Sequence, residues 1–413
     1  MVDKELIPIN WEKNNSIITV IGVGGGGSNA VTHMYKTGIK DVNFVVCNTD
    51  KQALNNSVVP NKIYLGEKMT QGLGAGCDPE VGRKAAVESI EEIKSFLEGE
   101  TRMVFITCGM GGGTGTGAAP VIAKEAKSRG LLTIGVITLP FTHEGIGNRR
   151  RATAGINEMQ KHVDSLIVVD NNKIYDVFGT KNYFDALPQA DEVVCTAVKG
   201  IADIINSSAH RNVDFADVYN RMRGSGIAII GMGSANMDSG AGRAGDAVKR
   251  AFDMPLLGDI DFQTGKNIIA NIRASNIEGI GMTTEEHQQI VSYIQDLTGN
   301  AENFKVAEIN DPSMEDTIKV TIIATGFDNT CLPEEFIMDD KDKVILDDDE
   351  NIYRIGAPIT YPPLTNAVSE YRPITKNGKP SLILGPDESE HKYDDEPAYI
   401  RRDNLLSKLK ENE

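Results

Sequence analysis

Two runs of glycine, each preceded by an apolar stretch, carry the residue types best suited to cradling a phosphate. The first is Gly22-Val-Gly24-Gly25-Gly26-Gly27-Ser28-Asn29, after Ile18-Thr-Val-Ile. The second is Gly109-Met-Gly111-Gly112-Gly113-Thr114-Gly115-Thr116-Gly117, after Met103-Val-Phe-Ile-Thr-Cys. Glycine leaves no Cβ between backbone N–H groups and an anion, and a helix opening from the loop adds the positive end of its dipole. The threonine hydroxyls of the second run are further donors. Gly22-x-Gly24-x-x-Gly27 also fits the dinucleotide fingerprint. Alone, that fingerprint is equally compatible with a nicotinamide site or a tight strand-to-helix turn. Two such runs on neighbouring strands point to a polyphosphate held between two helix N-termini.

Other segments add chemistry. Gly72-Leu-Gly74-Ala75-Gly76-Cys-Asp78 supplies flexible backbone donors, and Asn48-Thr49-Asp50 ends a strand where an α/β sheet presents polar groups to a nucleotide. Asp50 is also where a nicotinamide site would place its ribose-binding acid, so this segment does not discriminate. In Asn212-Val-Asp214-Phe-Ala-Asp217-Val, two acids three apart share a face at a helix start. As helix-terminal acids they would contribute a few tenths to about 1 kcal/mol. There is no GxxxxGK[ST] loop, and Asn172-Lys-Ile-Tyr lacks the aspartate of a guanine-reading motif, which excludes an ordinary P-loop GTPase. The six histidines are dispersed; His143 and His210 flank the candidate loops, where packing or surface roles suffice.

The elements that must position these residues alternate strand and helix. Ile17–Val23, Val42–Cys47, Met103–Cys108, Leu132–Thr138 and Ser165–Val169 are short, continuously apolar runs, the pattern of parallel strands covered on both faces. Helical stretches such as Pro79–Leu97 and Ala118–Ser128 lie between them. The expectation is a doubly wound parallel α/β sheet over 16–225, with ligands at the carboxyl ends of the strands. A long helix over Asp191–Asn206 leads to a smaller α+β domain over 226–327, with strands at Ile227–Gly231, Asn267–Ile272 and Thr317–Thr325 and a helix at Thr284–Leu297. Beyond it, Glu334–Glu350 holds nine acids against Lys341 and Lys343, and scattered prolines follow. That composition predicts a disordered acidic linker over 328–394. The last stretch, 395–413, regains apolar spacing at Tyr399, Ile400, Leu405, Leu406 and Leu409 after Pro397, as in a short recognition helix that folds on a partner.

Length and composition bound the rest. A chain of 413 residues suggests about two or three domains. Its net charge of −17 argues against general nucleic-acid binding. Cys47, Cys77, Cys108, Cys195 and Cys331 lie far apart, so neither a disulfide framework nor a zinc site is indicated by spacing. No run is long enough to span a membrane, and 1–15, an N-terminal extension, lacks the apolar core of a signal peptide. The expectation is a cytoplasmic protein in a reducing compartment, without direct membrane insertion.

The succession Gly22–Asn29, Asn48–Asp50, Gly72–Gly76, Gly109–Gly117, Pro140-Phe-Thr-His-Glu144, Lys161-His-Val-Asp-Ser and Asn212–Asp217 resembles, in content and order, the tubulin/FtsZ superfamily and its cell-division branch. The likeness covers 16–326 and returns at Asp395-Glu-Pro397-Ala398-Tyr399-Ile400-Arg401-Arg402, which resembles the tail peptide that docks membrane tethers and division regulators. It implies a GTPase that assembles head to tail with itself into the filaments of a midcell division ring. It places GTP or GDP against Gly25, Gly26, Gly27, Ser28, Asn29, Asn48, Asp50, Gly74, Ala75, Gly76, Gly109, Gly112, Gly113, Thr114, Gly115, Thr116 and Gly117. Glu144 would contact the ribose region and Asp191 the guanine edge, and Mg²⁺ would arrive with the nucleotide rather than in a protein cage. Asn212, Asp214 and Asp217 would enter the nucleotide site of the next subunit and position the attacking water.

Two departures from the family pattern stand out. Asn148 occupies the place of an arginine that contacts the nucleotide, so either Asn148 takes over that contact with GTP or Arg149 reaches in, Arg149–Arg151 otherwise forming a solvated helix face. Leu187 stands where an aromatic packs on the base. A Rossmann oxidoreductase would leave the second glycine run and the acid pair without a role. A plasmid-partition or cell-shape relative would leave the tail peptide without one, and a non-hydrolysing ring component would need a damaged phosphate or acid loop.

Overall fold

The computed structural model describes residues 11–173, 183–206 (side chains for 191–205), 215–239, 242–253, 262–299, 301–327 and three short strands beyond. Within 1–339 a ten-stranded sheet runs in the order β3-β2-β1-β4-β5-β6-β7-β10-β8-β9. The strands are β1 (Ile18–Val23), β2 (Asn43–Asn48), β3 (Asn61–Tyr64), β4 (Met103–Gly109), β5 (Leu132–Leu139), β6 (Ser165–Asp170), β7 (Gly226–Ala235), β8 (Asn267–Ala274), β9 (Asn303–Asn310) and β10 (Ile318–Phe327). β1 to β7 pair in parallel, β10 is antiparallel to β7 and β8, and β9 is parallel to β8.

The helices are α1 (Gly24–Thr37), α2 (Lys51–Asn56), α3 (Glu67–Thr70), α4 (Pro79–Glu88), α5 (Ile90–Leu97), α6 (Thr114–Ser128), α7 (Ile146–His162), α8 (Tyr183–Asn206), α9 (Phe215–Met222), α10 (Arg243–Asp253) and α11 (Thr284–Leu297). They cover both faces of the sheet. One core joins Val31 and Met34 of α1 to Val194, Val198 and Ile201 of α8 and Val218 of α9. The other joins Ala85, Ile93, Phe96, Ile122 and Ile156 of α4 to α7 to Val248 and Ile290 of α10 and α11. Every residue of β1, β2 and β6 is buried, as two-sided covering requires. Each fully buried Ile or Phe contributes about 1.5–3 kcal/mol.

Two expectations change. The helix expected over Pro79–Leu97 is two helices, because Ser89 leaves the helical path to tie β3 to this segment: its Oγ donates to the Tyr64 carbonyl at 3.0 Å and accepts from the Gly66 N–H at 3.0 Å. The helix expected from Ala118 begins at Thr114, inside the glycine run. The strands of 226–327 are hydrogen-bonded to the first sheet, Ser165–Ile167 of β6 pairing with Gly226–Ala228 of β7. In 340–413, described by itself, β11 (Val344–Leu346), β12 (Ile352–Arg354) and β13 (Ala357–Pro358) form a small antiparallel sheet within the segment expected to be disordered. The other residues of 328–394 and the whole of 395–413 lie outside the described residues.

Candidate functional site

The carboxyl ends of β1, β4, β5 and β6 border a cavity of about 320 Å³. Val23, Gly25 and Gly26 line it from the first glycine run, and Gly109, Met110, Gly112, Gly113, Thr114 and Gly115 from the second. Thr138, Leu139, Pro140, Glu144 and Asn171 complete the lining. Helices α1 and α6 both start at this cavity, and neither has an acid in its first turn. Neither positive end is offset by an acid in its own first turn, which favours an anion there.

The glycines divide into those the fold needs and those it does not. A Cβ on Gly27 would sit 2.2 Å from the Thr107 carbonyl oxygen, and one on Gly117 only 1.8 Å from that of Pro79. These positions let α1 approach β4, and α6 approach α4, backbone to backbone. A Cβ on Gly25 or Gly112 would meet nothing within 4 Å. Both of these residues line the cavity, one from each run. Packing does not account for them; a ligand brought against bare backbone does, and a nucleotide's phosphates fit that description. At the first turn of α1 the buried Ser28 Oγ has no hydrogen-bond partner among the described residues.

Hydrogen bonds stitch the rim. The Thr49 and Thr114 hydroxyls meet at 2.7 Å, tying the end of β2 to the start of α6. The Thr116 hydroxyl accepts from the Gly111 N–H at 2.9 Å. Arg151 donates through Nε to the Gly111 carbonyl at 2.8 Å and through its terminal nitrogen to the Asn148 side chain. Asn148 in turn donates to Glu144 at 3.0 Å, whose other oxygen accepts from the Phe141 N–H at 2.9 Å. The third arginine of the run, expected on a solvated face, thus props the second glycine loop. Asn148 links Glu144 to that arginine.

Other predicted residues sit apart from the cavity lining. Asp50 caps α2, accepting from Gln52 and Ala53 N–H groups at 2.8 and 3.0 Å, and Asn48 accepts from the Asp50 N–H at 3.3 Å. Gly74 and Gly76 have positive φ in the loop before α4, and Ala75 packs against Gly113. Asn29 is exposed on α1, while Thr116 and Gly117 are buried in α6. Asp217, in the first turn of α9, pairs with Lys305 of β9 at 2.9 Å and Arg221 at 3.1 Å. The Lys305 hydrogen bond, helped by Arg221, holds its carboxyl below the usual carboxylate range. His143 stacks on Phe141 with ring centroids 5.1 Å apart. Asn212, Asp214, His210 and the tail residues Asp395, Pro397, Ala398, Tyr399, Ile400, Arg401 and Arg402 lie outside the described residues, as does the side chain of Leu187.

Burial pushes the Asp191 carboxyl up to about 6, with the nearby His33 pulling the other way. The folded chain then binds more protons than the unfolded chain between about pH 4 and pH 6, so this group's contribution to stability falls as pH rises through that window. In the nucleotide-free protein, Asp191→Asn is expected to raise the melting temperature at about pH 7.5, with the advantage shrinking toward about pH 5. Thermal unfolding of both chains at the two pH values checks this; equal melting at the higher pH would contradict it.

Sequence reasoning did not single out Thr138, Asn171 or the Arg151–Gly111 bond. Thr138 lies at the carboxyl end of β5 and Asn171 directly follows β6, so the rule that ligands gather at strand carboxyl ends is the available signal. The arginine contact spans 40 positions and had none.

Comparison with known proteins agrees with this geometry. The sequence profile of the tubulin/FtsZ family GTPase domain matches residues 17–179, and that of the FtsZ family C-terminal domain matches 226–328. The cell division protein FtsZ of Azotobacter vinelandii is 45% identical over 313 residues, covering 76% of this chain and 77% of the relative. A solved FtsZ dimer from M. jannaschii superposes with a TM-score of 0.69 at 35% identity, covering 85% of this chain and 96% of that one. The CetZ2 protofilament of Haloferax volcanii, bound to GTPγS, gives a TM-score of 0.66 at 21% identity over 76% of this chain and 93% of its own, a likeness of fold alone.

Proposed function

We propose, given that this chain belongs to the FtsZ family of tubulin-like GTPases, that it polymerises head to tail and hydrolyses GTP at a site completed by the next subunit. The observation that carries the nucleotide half is the pair of open glycines, Gly25 and Gly112, in one cavity at two helix N-termini. Backbone N–H groups of the two runs bind the phosphates. Glu144, tethered by Asn148 and the Phe141 N–H, meets the ribose side, and Asp191 accepts from the guanine N1–H and N2–H donors.

Asp217, with Asn212 and Asp214, completes the site from a neighbouring subunit. Its depressed carboxyl is a weak base, so its role is to orient the attacking water by accepting a hydrogen bond, not to remove a proton early. Magnesium would be held chiefly by phosphate oxygens and water; the hydroxyl and carboxylate side chains of the cavity lining are Thr114, Thr138 and Glu144. Bound there, it would neutralise developing phosphate charge.

The residues 395–413 dock membrane tethers and division regulators, which brings the filament to the division site. No helix among the described residues is long and apolar enough to cross a membrane. Deleting 395–413 is expected to leave GTP turnover unchanged and to abolish sedimentation with tether-bearing vesicles; loss of turnover in the truncation would contradict a purely docking role.

A mixing experiment tests the shared site. Gly112→Ala is expected to impair only the cradle and Asp217→Ala only the donated acid. Combined, two nearly inactive chains should regain turnover at the interfaces that pair an intact cradle with an intact acid. No gain above the sum of the separate activities would contradict sharing.

A further inference from the structure

Away from the phosphate cavity, three side chains of different donor chemistry converge between α1 and α8. His33 of α1 and Glu192 of α8 meet Nε2 to Oε2 at 2.7 Å. Cys195, one turn beyond Glu192 on the same helix face, brings its Sγ so that all three donor atoms lie within 4.8 Å of one another. None of the three lines the phosphate cavity. We propose that His33, Glu192 and Cys195 form a binding site for a divalent transition metal of the zinc class.

The donor set selects the ion. A nitrogen, a carboxylate oxygen and a sulfur suit zinc or cobalt(II), whereas magnesium and calcium require oxygen throughout. Three protein ligands with a water in the fourth position make a tetrahedral site. Donor atoms in such a site stand about 3.4 Å apart, given metal–ligand distances near 2.0–2.3 Å. The cluster therefore needs to contract by about 1.4 Å at its widest, while the His33–Glu192 pair, now at 2.7 Å, opens by about 0.7 Å. The His33 and Glu192 side chains, 34% and 52% exposed, have the freedom to make that movement and leave an entry path from solvent.

Outer partners are in place. The Thr196 hydroxyl lies 3.3 Å from Glu192 Oε1, and the Thr37 hydroxyl donates to the His33 carbonyl at 2.9 Å. Such partners orient metal ligands and raise affinity. Burial, and then the Glu192 charge, push the Cys195 thiol up to about 11, so without metal it stays protonated. On coordination the S–H bond breaks, the sulfur keeps the electron pair for the metal, and the proton leaves to solvent. The bound ion would pin α1, which carries the first glycine run, to α8.

Cobalt(II) titrated into the full nucleotide-free chain tests this. A Cys77→Ser background removes the exposed thiol of the loop before α4. The expected result is a thiolate-to-cobalt charge-transfer band that saturates at a stoichiometric ratio, bleaches on addition of zinc, and is lost in both Cys195→Ser and His33→Gln. His33→Gln, on the partly exposed side of α1, keeps the test meaningful should the buried Cys195→Ser chain fold poorly. Zinc alone should raise the melting temperature of the unaltered chain and leave that of His33→Gln unmoved. No band in the Cys77→Ser chain, or a band that survives either ligand substitution, would overturn the proposal and leave an ordinary His33–Glu192 ion pair beside a core thiol.

Discussion

Asp217→Ala is expected to bind GTP within about twofold of the unaltered chain and to lose turnover by roughly 10²- to 10⁴-fold, the range for a positioned group acting on proton transfer or water. The two effects separate because Asp217 lies in α9, whereas the cavity is lined from the ends of β1, β4, β5 and β6. Asp217→Asn sharpens the reading. It keeps an acceptor for Lys305 and Arg221, which the aspartate engages at 2.9 and 3.1 Å, and removes only the charge. Turnover lost equally in both variants assigns the effect to the carboxylate charge; turnover kept in Asp217→Asn assigns it to the hydrogen-bond acceptor or to packing of α9 against β9. The depressed carboxyl also sets a sign. With its pKa lowered by the Lys305 and Arg221 hydrogen bonds, Asp217 is ionised at neutral and mildly acidic pH, and its pairing supports the folded state there and is lost only as pH falls through the lowered folded-state pKa. Turnover measured from neutral to mildly acidic pH should show no inflection from this group. Normal turnover in Asp217→Ala would remove the acid from the reaction.

The second large effect distinguishes glycines that look alike in the sequence. Gly25→Ala and Gly112→Ala should fold with little change in melting temperature, because the added methyl meets nothing within 4 Å and the stiffer unfolded chain favours folding by about 0.4–1 kcal/mol. Both should weaken GTP binding by roughly 10- to 100-fold, since a methyl on the cavity wall displaces the phosphate from at least one charge-assisted backbone bond worth about 1.5–3 kcal/mol. Gly27→Ala and Gly117→Ala should behave in the opposite way. Their methyls would stand 2.2 and 1.8 Å from backbone carbonyl oxygens, where no side-chain rotation relieves the overlap. Destabilisation at or beyond the roughly 3 kcal/mol upper end of overpacking is expected. Thermal unfolding and fluorescent-nucleotide titration of the four chains check both halves. Unimpaired GTP affinity in Gly25→Ala and Gly112→Ala would mean that the cavity is not the phosphate site.

These particular residues show where sequence reading stops. β1, β4, β5 and β6 are legible because strands buried on both faces read as unbroken apolar runs. β3 and β9 pass unnoticed: at the sheet edges, Asn61-Lys-Ile-Tyr and Asn303–Asn310 have only half-buried or alternating positions. Ser89 breaks a helix through bonds to distant backbone, which no local propensity encodes. Both glycine runs announce a phosphate loop, yet the sequence cannot say that Gly117 serves the approach of α6 to α4 while Gly112 faces open space. Asp50 reads as a nucleotide contact from its place at a strand end, while its capping of α2 is visible only in the structure. The raised carboxyl of Asp191 and the convergence of His33 with Cys195 are tertiary effects, invisible until α1 and α8 are packed together.

The central claim is that one subunit lacks a whole active site. GTP hydrolysis per subunit, measured across a protein concentration series with magnesium present, tests it most directly. A threshold concentration is expected below which turnover per subunit vanishes, because on the proposed mechanism Asp217 of one chain must reach the cradle of another. Turnover per subunit that stays constant down to the most dilute sample would contradict it.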